Sequence, residues 1–103
     1  MAARTYVVEC YSPAIRRETV AACGRRATLA AADLRRRGCA IDYVGALLVP
    51  GDEVVFHLFA APSAGPVREA SGRAGIEFER VLESIPIGLD GFGARLDRPG
   101  PRT

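Results

Sequence analysis

The 103-residue sequence predicts an α+β sandwich built in the order β-α-β-β-α-β. Three observations carry that prediction. Pro50-Gly51-Asp52 is a turn signal between two runs rich in β-branched and aromatic residues, 41–49 and 54–60, which together read as a hairpin. A long segment with apolar residues at helical spacing precedes the hairpin, and a shorter one follows it. An alternating strand opens the chain, and a last apolar run lies within residues 76–87. Right-handed crossovers on one sheet then give the ferredoxin-like split β-α-β arrangement: an antiparallel sheet in the order 4-1-3-2, with both helices on one face.

In the first strand, residues 5–11, Tyr6, Val8 and Cys10 share one face, and Thr5, Val7, Glu9 and Tyr11 share the other. Glu9 sits mid-strand among apolar neighbours. It reads either as a solvent-facing edge carboxylate or as one aimed into a cavity. Ser12-Pro13 is expected to open the first helix, serine as its cap and proline at the first helical position. This helix is expected to run to about Arg37 and stop at Gly38, burying Val20, Cys23, Ala27, Ala30 or Ala31, and Leu34. Its arginines lie mostly off that stripe and read as a solvated face, those near the C-terminus also suiting the helix dipole. Gly24 lies mid-helix, at a cost of up to about 1 kcal/mol relative to alanine. It marks a kink, a close helix contact or a break.

The third strand, residues 54–60, is apolar on both faces apart from His57, the one histidine of the chain. Val54, Phe56 and Leu58 are expected to point one way, and Val55, His57 and Phe59 the other. A strand of this kind is central in its sheet and covered on both sides. Helices cover one side, and a second subunit is the expected cover for the other. Ser63 is the expected N-cap of the second helix, which runs to about Ala74 and stops at Gly75. Val67, Ala70 and Ala74 form its inner face, while Arg68, Glu69 and Arg73 stay wet. The fourth strand ends by Pro86. One domain is therefore expected over residues 1–87. Residues 88–103, rich in glycine, proline and charge, read as a flexible tail with Phe92 and Leu96 as docking points.

The sheet face away from the helices is expected to carry Val7, Val55, Phe59, Val81 and Ile85, too apolar a set to leave in water. Packing two such faces together makes a homodimer, a dimeric α/β barrel enclosing a cavity lined by Glu9, His57 and Glu83.

The net charge of +2 is small and gives no nucleic-acid signature. Cys10, Cys23 and Cys39 are odd in number and form no CxxC pair, which argues against a disulfide framework and a structural zinc site. They read as buried or half-buried thiols in a reducing compartment. The start, MAARTYVV, enters a strand at once and carries no signal peptide, and no apolar run approaches membrane-spanning length. A cytoplasmic protein without membrane partners is expected.

Three groups of residues resemble a known family. They are Tyr6-Val7-Val8-Glu9 followed by Pro13; Asp52, the run from Phe56 to Phe59 and Ala61-Pro62-Ser63; and Arg68-Glu69-Ala70 with Ala74-Gly75-Ile76 and Arg80-Val81. Over about residues 5–87 they look like the small actinobacterial domains of unknown function grouped with a nickel-binding, dimeric ferredoxin-like protein. The resemblance implies a homodimer and a bound divalent metal, nickel or a similar ion. His57 stands where similar members carry a cysteine, and Gly75-Ile76-Glu77 replaces their Gly-Leu-Pro or Gly-Ile-Pro.

His57 reads three ways: a core histidine, a ligand for nickel, zinc or copper, or a general base. As a ligand it would take Glu9 and Glu83 as partners, doubled across a two-fold axis. As a base it would sit in an apolar cavity lined also by Tyr11 and Phe59. Two functions follow from different classes. One is a homodimeric binding protein holding a metal or small ligand between its sheets. The other is a cofactor-free isomerase, cyclase or monooxygenase acting on a hydrophobic metabolite. A third reading makes the arginine-rich helix a docking face for an acidic partner.

Overall fold

The computed structural model of the chain describes residues 3–87. The expected tail, with Phe92 and Leu96, lies outside them. The elements are β1 (Arg4–Tyr11), α1 (Arg17–Arg36), β2 (Asp42–Val49), β3 (Val54–Ala61), α2 (Ala64–Arg73) and β4 (Arg80–Ser84), with a 3-10 turn over Pro50–Asp52 between β2 and β3. They make one four-stranded antiparallel sheet, β2-β3-β1-β4, the expected order read from the other edge. No described helix is long and apolar enough to cross a membrane.

Both helices end as their glycines predict. In α1 the Cys39 N–H reaches the Leu34 carbonyl and the Gly38 N–H the Arg35 carbonyl, with Gly38 at φ +96°. In α2 Ile76 bonds Ser71 and Gly75 bonds Gly72, with Gly75 at φ +75°. These are Schellman closures, which need a residue in the left-handed region at the first position past the helix. The start of α1 differs from expectation. Ser12-Pro13 is not its cap, and the helix begins at Arg17 behind Arg16, which makes no side-chain cap bond. The reason lies in a long-range anchor. The Ser12 N–H bonds the Glu53 carbonyl, and the Ala14 N–H bonds the Glu53 carboxylate at 2.9 Å. Ala14 is held at φ +53°, which breaks any helix there. Ser63 does occupy the N-cap position of α2, though without a side-chain bond.

The core lies between the helices and one sheet face. Val8, Val55 and Phe59 from the strands meet Ala27, Ala31 and Leu34 of α1, Val67 and Ala70 of α2, and Ile41. Val20 and Cys23 pack partly buried against the same cluster, so the predicted stripe of α1 holds. The helices are joined across their exposed edge: Arg73 of α2 bonds Asp33 of α1, which also pairs with Arg36 and Arg37. The Arg73 guanidinium, ahead of the smaller effects, lowers the Asp33 carboxyl below its ordinary range. The fourth strand is shorter than its apolar run. Ile76 is buried and Phe78 half-buried before the strand begins, so those residues pack on the core instead of extending the sheet.

The side-chain direction of β3 is opposite to expectation. Val8 pairs with His57, Tyr6 with Phe59 and Cys10 with Val55. Directly paired residues share a face, so Val55, His57 and Phe59 lie under the helices. The other face carries Val7, Phe56, Leu58, Leu47 and Leu82, with Glu9 among them. That face is apolar as expected, but Val55, Phe59 and Val81 belong to the core side. Ile85 lies beyond the end of β4.

Candidate functional site

Beneath α1 the buried His57 imidazole, 3% exposed, meets the Tyr43 hydroxyl, with Oη 2.9 Å from Nδ1. Tyr43 reaches this side through a β-bulge. It pairs with Phe59, but Gly45 pairs with Leu58, so one extra residue, Val44, sits between them. Gly45 adopts φ +157° at this irregularity. Without the bulge, strict alternation would place Tyr43 on the same face as Gly45 and Leu47, away from His57. The Tyr43 ring packs edge-on against Phe59, centroids 5.2 Å apart, which fixes its hydroxyl.

Gly24 of α1 is explained by the same tyrosine. A Cβ at Gly24 would lie 3.1 Å from Tyr43 Oη and 3.3 Å from Cε2. Of the three readings of this mid-helix glycine, close contact is the observed one. The helix runs unbroken across it.

Burial dominates the electrostatics of the pair. Desolvation drops the His57 pKa from 6.5 to about 4 and raises that of Tyr43 to about 12. Both groups are therefore neutral at neutral pH. With the phenol as donor to Nδ1, the imidazole carries its proton on Nε2, and Nε2 is the atom left for a ligand. His57 lines a cavity of about 190 Å³ together with Cys10, Ile15, Val20 and Cys23, beneath the start of α1. Cys10 is a thiol there, not a thiolate: burial, then the neighbouring Cys23, lifts its pKa to about 11.

Tyr11, at the end of β1, also lines this cavity, as expected of it, while its hydroxyl donates to Glu9. Glu9, Glu83 and Phe59 lie elsewhere. Glu9 is on the opposite sheet face from His57, 6% exposed, where its carboxylate accepts bonds from the Tyr11 hydroxyl at 2.5 Å and Arg80 Nε at 2.6 Å. The tyrosine bond, then the arginine bond, hold the Glu9 carboxyl below its ordinary range. Glu9 therefore fits neither reading fully: it is buried and already satisfied. Glu83 pairs across from Tyr6 on the helix side at the sheet's edge, exposed and 3.7 Å from Arg4. Phe59 is core. The expected convergence of Glu9, His57 and Glu83 thus fails: β3 and β4 both face opposite to expectation, so His57 and Glu83 are on the helix side, Glu83 at its exposed edge, and Glu9 is on the open face. Among the described residues no three His, Cys, Asp or Glu side chains come close enough to hold a metal ion. Cys10, Cys23 and Arg80 were not expected at a site. Parity alone would have paired Cys10 with the His57 side had the β1–β3 register been known.

A larger groove of about 690 Å³ runs outside this centre, between α1 and β2, with Tyr43 in its wall.

No protein-family model matches the chain, and no curated protein does. Among solved structures it is similar to SCO4226 from Streptomyces coelicolor A3(2), with a TM-score of 0.62 and 19% identity over 82% of this chain and 98% of that one. This likeness shows the fold, in a small protein from an actinobacterium.

Proposed function

We propose that the protein is a small homodimeric binding protein whose ligand sits beside His57. The observation that carries the reading is the buried, neutral imidazole with one nitrogen fixed by Tyr43 and the ring on the wall of a cavity. At about 190 Å³ the cavity falls below the ~300–1,000 Å³ of metabolite pockets, so its ligand is an ion or a molecule of a few heavy atoms. A general base is less well supported. A pKa of about 4 leaves His57 too weak a base to match a working pH near 7.

A divalent metal such as nickel is the second reading: Cys10, Cys23 and His57 line one cavity, without converging as a three-ligand set. Ligation by His57 would need the other tautomer, with Nδ1–H donating to the Tyr43 oxygen and Nε2 free, and ligation by the cysteines would need loss of their thiol protons. Water would have to complete its shell. Dimerisation is supported by the open face. Three strands of eight residues and one of five cover roughly 450 Å² per copy, or about 900 Å² in total, close to the ~1,000 Å² threshold of a specific interface before side-chain relief is added. Glu9 is already paired with Arg80, so covering that face strands no charge.

Nickel titration by calorimetry on untagged wild type and His57→Gln tests the metal reading, and an NMR screen of small neutral and anionic fragments tests the other. Binding that shifts the Cys10, Cys23 and Gly75 amides and is lost in His57→Gln supports the site. Absence of both kinds of ligand sinks it.

A further inference from the structure

We propose that the groove between α1 and β2 is a second binding site, taking an organic anion with an apolar body such as an aryl or acyl carboxylate. Its volume, about 690 Å³, is metabolite-sized, unlike the cavity at His57. The α1 wall presents Arg17 and Arg25. Eight residues of helix put them about 12 Å apart along the axis. Ala21 lies between them in the lining and adds little bulk, so either long side chain can lean over the groove.

The charge is unspent. Arg35 pairs with Asp42, and Arg36 and Arg37 pair with Asp33, yet Arg17 and Arg25 have no ion-pair partner among the described residues. No carboxylate lines the groove among those residues either. Arg17 is also in the first turn of a 20-residue helix with no side-chain cap, where the helix dipole adds to the positive potential and Glu18, outside the groove lining, offsets part of it. Opposite the arginines, Ala46 and Leu48 of β2 supply an apolar wall, with Val20 beside them. Cationic groups on one side and aliphatic groups on the other fit an amphipathic anion.

A small molecule fits better than an added peptide strand. β2 is the edge of the sheet, but its bulge between Tyr43 and Gly45 interrupts the ladder where a peptide would pair.

The test compares two probes with one apolar body, 1-naphthaleneacetate and 1-naphthaleneacetamide, titrated into ¹⁵N-labelled protein. The acetate should shift the Gly24, Thr28 and Gly45 amides saturably and bind about tenfold tighter than the acetamide, as a few-fold gain per exposed charge contact predicts. The exposed double substitution Arg17→Gln/Arg25→Gln should bring the acetate down to the acetamide's affinity, while Arg16→Gln/Arg68→Gln leaves it unchanged. Equal affinity of the two probes, no saturable shift at those amides, shifts centred on Val7 and Leu82 of the open face, or wild-type affinity in the double variant would each overturn the proposal.

Discussion

Acid should weaken this fold through His57 before it does so through any carboxylate. The imidazole titrates at about 6.5 when the chain is unfolded and at about 4 in its buried place. Between those values the unfolded state binds the extra proton, so stability is complete above pH 6.5 and falls as pH drops toward 4. Linkage gives the size as RT ln[(1 + 10^(6.5 − pH))/(1 + 10^(4 − pH))]. That is about 0.2 kcal/mol at pH 7 and about 2 kcal/mol at pH 5, a loss of about 2 kcal/mol over two pH steps. The histidine is 3% exposed, so solvent does little to soften the effect. Urea denaturation followed by circular dichroism at pH 7, 6 and 5 reads it directly. With a slope of about 1–1.5 kcal/mol/M, the midpoint should fall by roughly 1.5 M in wild type. In His57→Gln it should stay nearly constant, because no other side chain of the chain normally titrates between pH 5 and 7. A wild-type midpoint that stays flat, or a variant that falls as steeply, would refute the neutral buried imidazole.

Other expectations follow from the same centre and from the sheet. Tyr43→Phe leaves Nδ1 of His57 buried without a partner and should cost about 1–3 kcal/mol, or roughly 4–8 °C of melting temperature per kcal/mol. Gly24→Ala gains up to about 1 kcal/mol of helix propensity but sets a methyl against the Tyr43 hydroxyl. It should therefore be more favourable in the Tyr43→Phe background than in wild type, and an additive double-mutant cycle would contradict the contact. Gly75→Ala forces alanine to φ +75° and should destabilise by about 1–2 kcal/mol in the same urea assay. Leu47→Glu with Leu82→Glu, both exposed on the open face, should give a folded monomer by light scattering, while wild type should scatter as the proposed dimer; equal masses would remove that face as the interface.

Much of the architecture was legible because its signals are local. The glycines that close α1 and α2, the Pro50 turn and the spacing of Ala27, Ala31 and Leu34 each act within a few residues. The site was not legible, for two physical reasons. β3 is apolar on both faces, so alternation gives no parity, and only the register with β1 puts His57 beside Val8. The bulge in β2 then brings Tyr43 onto the same face as Ala46 and Leu48, where strict alternation would have opposed them, and nothing but Gly45 hints at it. The helix start failed for a similar reason. Ser12-Pro13 is a good local cap signal, but Glu53, some forty positions away, captures those backbone groups first.

The reversed strand also changes how binding and assembly relate. Had His57 and Glu9 shared a cavity between two sheets, dimerisation would complete the site, and ligand affinity would depend on the second subunit. Instead the sheet separates them. His57, Tyr43, Cys10 and Cys23 lie under α1, and Glu9, Tyr11 and Arg80 lie on the face proposed to meet the partner. Tyr11 alone among the named residues touches both, lining the His57 cavity and bonding Glu9 on the open face. By reciprocal linkage, a ligand that leaves the Tyr11–Glu9 bond in place makes no differential contact with monomer and dimer and cannot shift the balance between them. Affinity at the cavity should thus be equal in wild type and in the Leu47→Glu/Leu82→Glu monomer, measured by calorimetry with whichever ligand the screen returns. A several-fold difference would mean that the strands transmit strain between their faces, and β1, which carries Cys10 on one side and Glu9 on the other, is where that coupling would run.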